Sequence, residues 1–178
     1  MKIIDFMESF SFKAPVIWSH RPDADVGIFL IEDEQYEILI EYFESDATLR
    51  STGRKFDTVA QVAFERIKDG KRFITKTDSK FSSRVLGAVY NGILSKIDLN
   101  GLDVIIFSAK KITGDSNENF NRRTHLYERI AKMMHARIPF AYVDRIFEND
   151  QGAHFILVRT DLKIADTEIE DLLKERYD

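Results

Sequence analysis

The sequence predicts an α+β fold, a mixed sheet with flanking helices in a single domain. Three observations predict it. β-Branched and aromatic runs dominate to about residue 75, apolar residues then recur at helical spacing from about residue 82, and the continuous apolar run Asp103 to Ala109 lies between two helical segments. A length of 178 residues suits one domain with enough chain to bury a core.

Residues 1–25 read as an N-terminal arm, a short helical turn and then an extended stretch in which Pro15 and Pro22 interrupt Phe6, Phe10, Phe12, Ile17 and Trp18. Val26 to Ile31 and Tyr36 to Phe43 are β-rich runs joined by the acidic turn Glu32-Asp33-Glu34, which makes a hairpin. Ser45 to Phe56 is polar and mildly basic and reads as a loop. Thr58 to Ile67 fits a helix or a strand by spacing; its β-branched and aromatic content and the following Asp69-Gly70 turn favour a strand, and Arg72 to Thr75 is expected to extend the sheet. Ser82 to Ile97 is an amphipathic helix with Val85, Leu86, Val89, Ile93, Leu94 and Ile97 on its apolar face and Asp78, Ser79 or Ser82 available as N-cap. Asp98 to Gly101 turns the chain into Asp103 to Ala109, a strand buried on both faces and expected between the strands Thr58 to Ile67 and Phe140 to Phe147. Lys110 to Asn119 is a polar loop, and a second helix runs from about Phe120 to Arg137, where Ile138-Pro139 breaks it. Phe140 to Phe147 and His154 to Arg159 form a hairpin across Glu148 to Gly152, and Ala165 to Tyr177 is an amphipathic terminal helix. The core therefore spans 26–160, with residues 161–178 as a C-terminal addition.

Composition excludes whole classes of function. Fourteen Phe, 8 Gly and 3 Pro belong to a folded chain. The absence of Cys removes disulfides, zinc–thiolate sites and thiol catalysis, and fits a reducing cytosol. A net charge of −4 gives the chain as a whole no attraction for nucleic acid or an anionic membrane. No apolar run reaches the ~18 residues of a membrane span, and the acidic start Met1 to Glu8 is no export signal. His20, His125, His135 and His154 show no metal-ligand spacing.

The element order, three strands, helix, strand, helix and two strands, resembles the core of the GNAT-type N-acetyltransferases. Asn117-Glu118-Asn119-Phe120-Asn121-Arg122-Arg123-Thr124-His125-Leu126-Tyr127-Glu128-Arg129 is similar to that superfamily's segment after the central strand. The resemblance implies acetyl-coenzyme A as cofactor, with Tyr127 protonating the departing thiolate and a strand carboxylate such as Glu41 as general base. It places the pyrophosphate at the N-terminus of the Ser82 helix, where Ser79, Lys80, Ser82, Ser83 and Arg84 would meet it, joined by Asn121, Arg122 and Arg123. The glycine-containing loop of that family has no counterpart, for Thr75 to Arg84 holds no glycine and Gly87 lies too far into the helix. A second resemblance runs closer to full length. The Met-Lys-x-x-Asp-Phe-type start, Thr75-Lys76-Thr77 leading into Arg84 to Val89, Ile105 to Ala109 and Arg123 to Arg129 look like a group of small tailed-bacteriophage proteins to which no chemistry is assigned. It implies a viral protein made in a bacterial cytoplasm, with the virion as the alternative location.

Each candidate also has a structural explanation. Tyr127 lies beside Leu126 on the apolar stripe, where an aromatic ring is more often core. His125 belongs to the solvated side of its helix, Ser82 and Ser83 are explained by capping, and Glu37 and Glu41 by the wet face of a strand. Arg122, Arg123, Arg129, Lys132 and Arg137 make the second helix basic, by default as a solvated face. Two functions remain open. One is a non-catalytic interaction module with a host or virion protein as partner. The other is an acetyl-coenzyme A-dependent N-acyltransferase acting on a protein or small amine. The missing glycine loop favours the first.

Overall fold

The two apolar periods of the sequence become eight strands and three α-helices among the residues that the computed structural model describes, 12–48, 53, 55–73, 82–97, 101–110, 117–137, 142–149 and 152–177. In order they are β1 (Ile17–Arg21), β2 (Ala24–Ile31), β3 (Glu34–Thr48), β4 (Lys55–Lys68), β5 (Lys71–Phe73), α1 (Ser82–Lys96), β6 (Val104–Lys110), α2 (Asn117–Arg137), β7 (Tyr142–Asn149), β8 (Gly152–Arg159), a 3₁₀ turn (Thr160–Leu162) and α3 (Asp166–Tyr177). The strands lie in the order β1-β2-β3-β4-β6-β8-β7, with β5 paired to β4. The sheet is mixed because β4 and β6 pair in parallel, Val59 opposite Val104, while β6–β8 and β8–β7 are antiparallel. The chain falls into two compact units, Met1–Ile40 with Ala63–Leu99, and Glu41–Val62 with Asn100–Asp178.

In the first unit β1 and β2 form an antiparallel pair in which Trp18 faces Gly27. Glycine is required there, since a Cβ on Gly27 would lie 2.8 Å from the indole. The apolar stripe of α1 (Val85, Leu86, Val89, Ile93) is fully or almost fully buried, and Gly92 lets the helix approach Ile38, whose Cδ1 would stand 2.7 Å from an added Cβ. The buried Asp25 carboxylate is held by His20 at 2.8 Å and Lys96 at 3.3 Å. The β4–β5 turn uses Asp69 and Gly70 with φ of 52° and 69°, the left-handed pair of a tight hairpin.

In the second unit β6 and β8 are buried almost throughout. Alternation divides their side chains between two faces. Val104, Ile106, Ile156 and Val158 join Phe56 and Val59 in a core that Ile169, Leu172 and Leu173 of α3 complete. Ile105 and Phe107 point the other way, on a sheet whose β6, β7 and β8 are contacted by α2 through a stripe that buries Tyr127, Ile130, Met133 and Met134. Burying one Leu- or Ile-sized side chain stabilises by about 1.5–3 kcal/mol, so the apolar face of α3 is the main reason it docks. Its start is capped by Glu168, whose carboxylate accepts the Ala165 N–H at 2.6 Å.

Two expectations are corrected. The strand beyond β6 is β8, not β7. The reason is composition: Ala153 to Val158 is apolar apart from His154 and is buried, whereas β7 carries Asp144, Arg145 and Glu148 and suits the edge. The polar stretch Ser45 to Phe56, expected as a loop, is strand at both its ends, because β3 continues to Thr48 and β4 begins at Lys55. There Ser45, Asp46 and Ala47 are engaged by Glu175 of α3, a partner about 130 residues away that local composition cannot show. The helical turn expected before residue 12 lies outside the described residues.

Candidate functional site

Polar side chains gather in the second unit where the last turn of α3 crosses the strands. Ser108 on β6 and His154 on β8 are register partners, so their side chains share a face and reach each other, Oγ to Nδ1, at 2.9 Å. Ser108 is 6% exposed and His154 is fully buried. From α3, the Tyr177 hydroxyl meets Ser108 Oγ at 2.6 Å, and its ring lies 4.7 Å from the imidazole at 32°. Burial pushes the Tyr177 phenol above its ordinary value, and the bond to Ser108 only partly offsets this.

Beside this trio, Arg176 donates from Nη2 to Glu41 Oε2 at 2.9 Å and from Nε to Gln61 Oε1 at 2.8 Å. Its guanidinium also stacks over Phe43, 4.5 Å from the ring centre. One residue earlier, Glu175 accepts from Ser45 Oγ at 2.6 Å and from the N–H groups of Asp46 and Ala47 at 2.9 and 2.8 Å. Burial acts to raise this carboxyl, but the three hydrogen bonds outweigh it and hold it below the usual carboxylate range. Three consecutive residues of α3 therefore each bond to the strands beneath.

A serine in hydrogen-bond reach of an imidazole is a nucleophile–base pair in outline. Here Ser108 is bonded on two sides, and the Tyr177 ring packs against the imidazole. The Glu41 carboxylate is ion-paired to a cation that also holds β4. These groups act on one another, and their combined effect is to fix where α3 sits.

Of the residues named from sequence, Glu41 belongs to this cluster and Glu37 is buried at 6% exposure. Tyr127 is 4% exposed, on the α2 stripe with Ile130 and Met134. Arg123 is also buried, its guanidinium 5.9 Å from the Phe120 ring centre, while Asn121 is exposed. In the first unit Ser83 and Arg84 are exposed, with Arg84 3.7 Å from Glu32 and 5.7 Å from the Phe12 ring centre. Ser79 and Lys80 lie outside the described residues, as do the side chains of Ser82 and Arg122. His125 is exposed and 3.5 Å from Glu128. No group of three or more metal-ligating side chains occurs among the described residues. Ser108, His154, Gln61, Arg176 and Tyr177 were not marked by sequence as a set; the signal available was a serine and a histidine interrupting otherwise apolar two-faced strands.

No protein-family model, curated protein or solved structure matches the chain.

Proposed function

We propose that the chain is a GNAT-like domain acting as a non-catalytic interaction module, of the kind tailed bacteriophages make, with a host or virion protein as its partner. One observation carries the reading: the two groups that acyl transfer would call on are occupied by folding. Glu41 is ion-paired to Arg176, and Tyr127 is buried in the α2 stripe. The glycine-free segment before α1 supports the same reading. No helix among the described residues is long and apolar enough to cross a membrane.

The meander, helix, strand, helix, strand, strand order, with β4 and β6 parallel, supports the GNAT-like part and keeps acyl transfer as the second reading. In that case acetyl-coenzyme A would lie at the start of α1, and Glu41 would have to leave Arg176 before taking a proton from the amine. The two readings separate in an acetyl-transfer assay with peptide and small amines. The module reading expects no transfer above the uncatalysed rate and identical behaviour of wild type and Glu41→Gln. Turnover abolished by Glu41→Gln or Tyr127→Phe would establish the enzyme instead.

A further inference from the structure

The outer sides of α2 and α3 carry opposite charge. The two helices cover opposite faces of the second unit's sheet, because alternation along β6 and β8 sends Ile105 and Phe107 toward α2 and Val104 and Ile106 toward α3. α2 holds five Arg or Lys residues against two Glu, and α3 holds five Asp or Glu residues against one Lys and one Arg. Side-chain placement sharpens the contrast. On α2, His125, Lys132 and Arg137 are exposed and Arg129 is half-buried, while the acid between them, Glu128, accepts from Lys132 at 2.5 Å. On α3, Asp166, Glu170 and Asp171 are exposed, Lys174 stands 3.9 Å from Asp171, and Arg176 is turned down to Glu41 and Gln61. The net charge of −4 is therefore unevenly spread in this unit, with a basic helix on one face of the sheet and an acidic helix on the other.

We propose that the chain associates with further copies of itself head to tail, the basic side of α2 on one copy resting against the acidic side of α3 on the next. Each copy carries both halves of the contact on opposite faces, so neither half covers the other. A twofold dimer through α2 alone or α3 alone would set like charges together. The heterologous arrangement avoids this, and such a contact repeats until it closes into a ring or runs on as a stack. Ile146 adds an apolar point on the α2 side: it is 53% exposed on β7, opposite Phe155, with the exposed Glu148 farther along the same edge. Exposed ion pairs are individually weak, so the contact holds only where salt does not screen it. Neither outer side uses Glu41, Tyr127 or Ser108, and self-association is independent of whether the chain transfers acyl groups.

The test is sedimentation velocity of the full chain over a range of concentrations at ~0.02 M and ~0.5 M salt, where charges are screened over about 20 Å and about 4 Å. At low salt the mean mass of wild type should rise with concentration from 20.7 kDa to twice that value and beyond, and at high salt it should stay at 20.7 kDa. The paired reversals Lys132→Glu with Arg137→Glu, and Glu170→Lys with Asp171→Lys, should each leave the chain monomeric at low salt. An equimolar mixture of the two should associate again, because the reversed α2 of one then meets the reversed α3 of the other, and the two unaltered helices also match. Wild type that stays monomeric at low salt overturns the proposal and leaves the basic side of α2 to an acidic partner of another kind. Association that survives ~0.5 M salt, persists in either variant alone, or is not restored in the mixture overturns it as well. If one variant does not fold, the salt dependence of wild type and the mass of the other variant decide.

Discussion

Glu175 shows how much one exposed side chain can organise. Its carboxylate gathers a hydroxyl and two backbone N–H groups of β3, and those bonds hold it ionised below the usual range. A carboxyl lowered in the folded state adds stability that is present above its unfolded value near pH 4.3 and lost as pH falls through the folded value. Glu175→Gln should accordingly lower stability at pH 7 by about 1 kcal/mol, less than a buried charged hydrogen bond because water screens the site, and the deficit should shrink as the pH is lowered below the unfolded value. Urea unfolding at pH 7 and at lower pH checks this. Tyr127 makes the opposite case, a residue with a chemical role in prospect and a packing role in place. Tyr127→Ala should cost about 3–5 kcal/mol through the cavity it leaves, and Tyr127→Phe less than about 1.5 kcal/mol, as read by the same unfolding curves.

The elements divide by whether local pattern or remote partners determine them. Both long helices and β6 were legible because three-and-four spacing and a continuous apolar run report burial directly. The β4–β5 hairpin was equally legible, since Asp69-Gly70 supplies the two left-handed residues its turn needs. Gly70→Ala adds a Cβ into open space, so its cost, about 1 kcal/mol, is conformational alone and should appear as a lower urea midpoint with an unchanged slope. The end of β3 was not legible, because Ser45 to Thr48 has a loop's composition and is engaged by a residue at the far end of the chain. The positions of β7 and β8 lie between these cases: the apolar run from Phe155 to Val158 is visible in the sequence and marks the inner strand, although β7 comes first in the chain. Element α3 depends on Ile169, Leu172 and Leu173, and Leu172→Ala should cost about 2–5 kcal/mol.

At the scale of the whole molecule, the candidate site was legible only in part. Glu41 was named as a carboxylate on a strand, yet its partner Arg176 is 135 residues away, and Ser108, His154 and Tyr177 come from three separate elements. No spacing rule joins such residues; register and helix docking do. What they form is a cluster whose members bond to one another, and the proposed interaction module rests on that mutual engagement together with the burial of Tyr127. Thermal unfolding of the wild-type chain with and without millimolar coenzyme A tests this most directly. A cofactor present at a hundred times its dissociation constant would add about 2.7 kcal/mol and raise the midpoint by several degrees. The account predicts a midpoint unchanged by coenzyme A in both wild type and Arg84→Ala, and a rise in wild type that Arg84→Ala removes would contradict it.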